Sequence, residues 1–348
     1  MDIEATIAEM DMDKEDADRF RRVHAAAQTL FGDRLTRIST PGGSYRASYR
    51  VHLGDVTAIA SCRDNFRRTR VEAFALRKLG AVCDAMPRCL GLTDDVLFQS
   101  DAGQRRLNVA MFEEGDAARQ QIAAKSVEAL FSIHRAARAE EMHKYMPPLG
   151  STKAWVTRVV NAVRKLEKQG AKIGKGFNRF AVFEALSVAP RQFVKWDCRS
   201  GNAALDDSGK LRWFDFEYCG LRHGAEDFAW LIADESWPLD AQTMFDMVRD
   251  AYDPDTPGTR DAWLDYLSLY TVFHALQRLQ LMQSEVARRG WKSKRKVVAR
   301  DDVGLHPDFA LQLCNVAMFF ADRSRLTAPL VPMFDEVARE LASVADAA

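Results

Sequence analysis

Residues 16–31 carry Phe20, Val23, His24, Ala27 and Leu30 at helical spacing and are followed by Gly32, which predicts a short amphipathic helix with a glycine stop. The pattern then turns to alternation. RLTRIST from residue 34, SYRASYRVHL from 44 and VTAIASCR from 56 are separated by Pro41-Gly42-Gly43 and by Gly54-Asp55, the marks of three antiparallel strands in a meander. Helical spacing returns over 68–79, where Val71, Phe74, Ala75 and Leu79 share a face and Glu72 stands near the start. After Pro87, CLGLTDDVLFQSDAGQRRLNVAMF reads as further strand pairs, its last strand running through LNVAMF into Glu113-Glu114-Gly115.

From Asp116 onward helical spacing dominates, over about 117–137, 151–169, 177–187, 239–252, 260–287, 307–323 and 327–345. Two short apolar pieces interrupt it, RQFVKW from 191 and KLRWFDF from 210, on either side of a turn at 206–209. They predict a small strand pair among helices. The expected fold class is α+β and bilobal: an antiparallel-sheet N-lobe over 1–112 and a mostly helical C-lobe over 113–348, with no internal repeat. A length of 348 residues agrees, because single cores tend to stop growing near about 250–300 residues.

Composition narrows the partners. Acidic and basic side chains balance at 49 each, which gives no global attraction to nucleic acid or an anionic membrane surface. One local bias stands out, RRGWKSKRKVVAR at 288–300 with seven cations, expected as a solvated, mobile loop. The six cysteines show no metal-ligand spacing and read as reduced, mostly buried thiols. No run reaches the roughly eighteen apolar residues of a membrane helix and the start lacks an apolar leader, so a soluble cytoplasmic protein is expected.

The chemistry-bearing residues gather late. KWDCRSGN at 195–202 holds Asp197 and, five places on, Asn202; FDFEYCGLRHGAEDFAWL from 214 supplies Asp215, Glu217 and Asp227. If the two apolar pieces are strands, Asp197, Asn202 and Asp215 lie around the mouth of one hairpin. Carboxylate and amide oxygens without cysteine or paired histidines suit a hard ion such as Mg²⁺, which binds through one or two carboxylates plus substrate phosphates. That points to nucleotide phosphates. In such chemistry Asp197 fits the positioner of an attacking hydroxyl, and Asn202 and Asp215 fit the metal ligands.

DCRSGN followed by an aspartate on a strand resembles the catalytic loop and metal aspartate of the protein-kinase fold, and in detail resembles the aminoglycoside phosphotransferase and choline kinase branch. Over about 35–235 the other landmarks follow in order: Gly42-Gly43 and Ser44 in the first hairpin, Glu72 on the first N-lobe helix, LNVAMFEEG at the lobe linker, and LFSIHRA around His134. The resemblance implies ATP and Mg²⁺ as cofactors and a small-molecule hydroxyl acceptor. It implies a nucleotide held by Gly42, Gly43 and Ser44, by a strand cation paired with Glu72, and by the backbone of Ala110, Met111 and Phe112 against adenine. Metal falls to Asn202 and Asp215. Asp197 is the implied catalytic aspartate, with Arg199 reaching the γ-phosphate where some kinases place a lysine. Lys195 is expected beneath the loop, neutralising Asp215 or Asp227, and Asp227 is expected to brace the loop backbone. His134 reads as a satisfied core histidine.

Two departures stand against this pattern. VTAIASCR has no lysine, the nearest cation being Arg63, and the usual His-Gly before the catalytic aspartate is Lys195-Trp196. Two functions therefore stay open: a small-molecule kinase, and a kinase-fold pseudoenzyme that acts as a nucleotide-binding or protein-binding scaffold. For the acceptor, expected to be aminoglycoside-, amino-sugar- or choline-like, Asp234, Glu235, Asp246 and Asp250 form a candidate acidic wall for a cationic amine, Trp237 and Trp263 candidate surfaces to stack on a sugar or cage a quaternary amine, and the 288–300 cations a candidate site for an acidic acceptor. Each also reads as surface charge or core filling.

Overall fold

The computed structural model describes residues 3–41, 47–168 and 170–345. The chain divides into two compact units, Met1–Gln104 with Ala204–Cys219, and Arg105–Ala203 with Gly220–Ala348. The first unit's N-terminal segment runs to Gln104, and the unit takes in a segment from the later half of the chain.

The first unit opens with α1 (Ile3–Glu9) and α2 (Lys14–Phe31). Asp13 caps α2 by accepting from the Asp16 N–H at 2.9 Å, and Gly32 ends it at φ 57°, where a β-carbon is disfavoured. Phe20, Val23, Ala26 and Ala27 bury one face of α2 in a core shared with β1 (Arg37–Ser39), β2 (Ser48–Leu53) and β3 (Val56–Ser61). Next come α3 (Phe66–Leu79), β4 (Cys89–Thr93) and β5 (Val96–Ser100). The sheet is antiparallel throughout, in the order β1-β2-β3-β5-β4, with Val51 opposite Ala58 and Ile59 opposite Gln99. This is the expected sheet-rich lobe. Asn65 starts α3 by accepting from the Arg68 N–H, and the helix carries a wholly buried Glu72 that demands a cation.

The second unit begins with β6 (Arg105–Arg106) and α4 (Leu107–Glu113). Here the expectation of a strand through LNVAMF fails. Leu107, Ala110 and Met111 lie at i, i+3 and i+4 and are buried together on one helical face, while Asn108 donates its Nδ2 to the Val298 carbonyl at 2.8 Å. A seven-residue apolar run satisfies either period, and packing decides between them. Helices α5 (Asp116–Ala139), α6 (Lys153–Val160), α7 (Val163–Lys168) and α8 (Arg179–Leu186) follow, then β7 (Gln192–Val194).

The chain then enters the first unit, where β8 (Ala203–Leu205) and β9 (Leu211–Trp213) pair around a turn held by Asp206, which accepts from the N–H groups of Ser208 and Lys210. It returns as β10 (Gly220–Arg222), α9 (Ala225–Ile232), α10 (Ala241–Asp250), α11 (Arg260–Arg289), α12 (Lys294–Arg300), α13 (Pro307–Asp322) and α14 (Val331–Ala345). The expected pairing of RQFVKW with KLRWFDF is also corrected: β7 pairs with β10, Phe193 opposite Leu221. Three-residue strands hold no period to read, and sequence nearness favoured the wrong partner.

Helix α11 is the spine of this unit, packing on α9 and α13 and burying Trp263, Leu267, Tyr270, Phe273 and Leu276. Phe131, Phe228 and Trp263 meet at centroid distances of 4.3 and 5.4 Å, each such ring contributing about 2–3 kcal/mol by burial. The basic run at 288–300 is not a solvated loop. It forms the end of α11 and all of α12, because Val297 and Val298 turn inward and Asp302 gathers Arg289 at 2.8 Å and Lys292 at 3.1 Å.

Candidate functional site

In the second unit, the loop after β7 is fixed by one carboxylate. Asp227, wholly buried in the first turn of α9, accepts from the N–H groups of Lys195 and Trp196, each at 2.8 Å, and lies 2.9 Å from His134 Nε2 on α5. These bonds hold Trp196 at φ 60° and Asp197 at φ 48°, left-handed values that cost a bulky residue energy and persist where surroundings over-determine them. Lys195 is buried beneath the loop, where its Nζ donates to the carbonyls of Trp196 and Asp197 at 3.5 and 3.2 Å.

Asp197 is ringed by donors. Asn202 Nδ2 donates to its carbonyl at 3.0 Å and to its Oδ2 at 3.1 Å; Arg199 Nε donates to its Oδ1 at 2.8 Å. Burial works to raise the Asp197 pKa, but the charge and hydrogen bond of Arg199, with Lys195 and Arg278 behind, outweigh it and hold the carboxyl below its usual range. Asp197 and Asn202 are therefore brought together, and Arg199 is engaged by the aspartate itself. Arg199→Ala is expected to leave burial as the main influence on Asp197, so its pKa rises. If Asp197 must be ionised for turnover, the acid limb of the kcat/KM profile then moves to higher pH, which a pH–rate series measures; an unmoved limb would separate Arg199 from that ionisation.

One residue at this loop escaped the sequence reading. Asp301, at φ 49° at the end of α12, places Oδ1 3.8 Å from Arg199 Nη1 and Oδ2 3.6 Å from Arg106 Nη1. Its carboxylate covers Gly201, where an added β-carbon would lie 2.0 Å from Oδ1. The only sequence signal was that glycine within the Asp-x4-Asn element.

The first unit holds the other half of the sequence-predicted set. Arg63, just beyond β3, is ion-paired to Glu72 Oε2, donates to Asp215 Oδ1 at 2.8 Å and lies 3.5 Å from Glu217 Oε2. Glu72 also accepts from the Phe216 N–H at 2.9 Å, and Asp215 takes φ 64°. A planar guanidinium with five donors serves three carboxylates at once, which a lysine ammonium does less well. Burial, then the neighbouring charges of Asp215 and Glu72 working against Arg63, raise the Glu217 pKa. Gly42, Gly43 and Ser44 lie outside the described residues.

Other expectations are relocated. Ala110, Met111 and Phe112 lie on a helix where a strand was expected, and their carbonyls accept from the Glu114 N–H at 3.0 Å, from Arg119 Nε at 2.8 Å and from Arg119 Nη2 at 3.3 Å. Asp234 is buried and receives the N–H and hydroxyl of Ser200 at 2.6 and 2.5 Å, Glu235 is buried against Arg278, and Trp237 and Trp263 are core residues. Asp246 and Asp250 pair with Arg249. Among the described residues no group of three or more His, Cys, Asp or Glu side chains is placed to hold a metal ion. For Mg²⁺ that is no obstacle, since one or two oxygens per ion complete its shell together with phosphates and water. Asn202 commits its amide nitrogen to Asp197 and keeps a carbonyl oxygen as donor atom, and Asp215 is a partly exposed carboxylate, so the donor chemistry fits.

No protein-family model matches the chain, and no curated protein matches its sequence. Solved structures do resemble it. A GDP complex of an aminoglycoside 2'-phosphotransferase-IIIa point mutant aligns with a TM-score of 0.51 at 12% identity, covering 80% of this chain and 95% of that one. A choline/ethanolamine kinase family protein from Mesorhizobium loti aligns with a TM-score of 0.51 at 17% identity, over 86% and 98% of the two chains. The gentamicin complex of APH(2")-IIa gives 0.50 at 12% identity, over 84% and 98%. At these identities the likeness is one of fold, and it is the bilobal α+β fold expected from the sequence.

Proposed function

We propose that this protein transfers the γ-phosphoryl group of ATP to a hydroxyl of a small molecule. The observation that carries the reading is the Asp197 loop: an aspartate and an asparagine tied together at 3.0–3.1 Å in a strained conformation that the buried Asp227 holds in place. Strain kept at such a place is the usual mark of function. In this reading Asp197 orients the attacking hydroxyl and accepts its proton. Asn202 and Asp215 are the residues that would hold Mg²⁺, which when bound offsets the negative charge of the phosphates. Arg63 keeps Asp215 and Glu72 in register, in the role a strand lysine has in the resembling family. Arg199 is the cation proposed for the γ-phosphate, a role that requires it to exchange part of its contact with Asp197 for phosphate oxygens.

A scaffold that binds a partner without catalysis is the second reading, and the engaged carbonyls of α4 favour it. ADP release on a hydroxyl acceptor decides between them, and nucleotide binding is its precondition. ATP with Mg²⁺ at 100 times its Kd is expected to add about 2.7 kcal/mol of stability, read as a rise in Tm. No rise at saturating ATP·Mg²⁺ would count against the kinase.

A further inference from the structure

Three indoles cluster at the Asp197 loop in the second unit. Trp196, its neighbour in the chain, has its ring centroid 6.2 Å from Trp155, 6.2 Å from Trp230 and 6.4 Å from Tyr270. All three indoles are only half-buried, so each keeps some surface for a ligand. Behind them, buried Tyr270 stacks on His274 at an interplanar angle of 13°, and His274 lies 4.2 Å from Trp230. His274 is 3% exposed, and its Nε2 has no hydrogen-bond partner among the described residues. Burial, and then the Arg278 charge, bring its pKa down to about 3, with Asp197 and Arg199 also close enough to act on it. It is thus a neutral imidazole, able to exchange a hydrogen bond with a hydroxyl.

The charges around these rings are already matched. Arg222 lies 4.5 Å over Trp155 and Arg278 lies 5.9 Å over Trp230, so both rings already serve a cation. Every neighbouring carboxylate is satisfied as well: Asp197 by Arg199 at 2.8 Å, Glu226 by Arg222 at 2.8 Å, Glu235 by Arg278 at 2.6 Å, and Asp234 by Ser200 and Ser236. Two of the three indoles thus already face a guanidinium and the carboxylates named are already paired, so an ammonium ion gains less here than it would at an open aromatic cage. A ring with an apolar face and equatorial hydroxyls would find flat indoles, with the neutral His274 imidazole buried behind Trp230 as a hydrogen-bonding group that a small side-chain shift uncovers.

We propose that Trp155, Trp196, Trp230 and His274 form the acceptor subsite beside Asp197, and that its occupant is an uncharged cyclic polyol such as a sugar or cyclitol. The inference rests on the phosphotransfer reading for the acceptor role, and names the substrate class of that same site. The test titrates the intrinsic tryptophan fluorescence of the full chain with neutral hexoses, pentoses and myo-inositol, and with choline and kanamycin as cationic probes. At least one neutral compound is expected to give a saturable change, lost in Trp196→Ala and absent with both cations. In an ADP-release assay the same compound is the preferred acceptor, and Trp155→Ala raises its KM about tenfold while the KM for ATP holds. Should Trp196→Ala not fold, Trp155→Ala carries the binding test, with Trp196→Phe expected to retain binding. A cation that binds more tightly than every neutral compound, no response to any neutral compound, or binding indifferent to Trp155→Ala overturns the proposal. A neutral compound that binds while ATP·Mg²⁺ gives neither ADP release nor a Tm shift removes the phosphotransfer reading alone.

Discussion

Asp215→Ala is expected to abolish Mg²⁺-dependent ADP release, by about three orders of magnitude or more, in a protein that still folds. The loss is chemical. In the proposed reaction the carboxylate holds the ion that offsets phosphate charge, and alanine offers no oxygen. The fold should tolerate the change because Asp215 is 30% exposed at its side chain, and Arg63 keeps Glu72 and Glu217 as partners when it is gone. The pair is half-buried, with Arg63 15% exposed, and because Arg63 keeps two carboxylates the loss should stay below the roughly 3–5 kcal/mol of breaking a fully buried pair. ADP release measured beside Tm separates the two effects, and full turnover in this variant would end the kinase assignment. Arg63→Lys is the informative companion: it keeps the charge and loses the fork that reaches three carboxylates, so a loss of activity there points to geometry, not charge.

The sequence was most legible where period and length agreed. The α2 face, the β1–β3 meander and the thirty residues of α11 repeat their apolar positions often enough to exclude the other reading. Short elements failed for the opposite reason. Leu107, Ala110 and Met111 had helical spacing in plain view, but seven residues leading into Glu-Glu-Gly also fit a strand; α12 was hidden by counting charges and overlooking Val297 and Val298 between them.

Side-chain partners split in the same way. Arg63 next to Glu72, and Asp227 under the loop, could be anticipated because a buried carboxylate near a cation or an exposed backbone has few ways to be satisfied. Asp301 on Gly201 could not, since about a hundred residues separate them and no spacing rule joins the end of a seven-residue helix to a distant loop. Nor could the satisfied state of Asp234 and Glu235, which as letters look like an acidic wall and in three dimensions are spent on Ser200 and Arg278.

Asp227→Ala is expected to be the most destabilising single change at this site, costing roughly 3–5 kcal/mol, as the removal of one member of a buried hydrogen-bonded network does. Three donors converge on this carboxylate: the N–H groups of Lys195 and Trp196, and the imidazole of His134. Those of Lys195 and His134 cannot turn to water, because both residues are buried with Asp227. Alanine leaves them unpaired and also removes the restraint on the left-handed backbone of Trp196 and Asp197, which then relaxes toward ordinary φ values. Stability and geometry fall together. For a chain of this size the loss should appear as a drop in Tm on the order of 10 °C. His134→Ala removes one of the three bonds and should cost less. The discriminating comparison is the binding of ATP·Mg²⁺ in Asp227→Ala below its new Tm: if Asp227 acts on the loop, nucleotide still stabilises the variant while ADP release is lost with the position of Asp197. A variant within about 1 kcal/mol of the parent, with release unchanged, would mean that the loop is held by the Lys195 and Asn202 contacts instead.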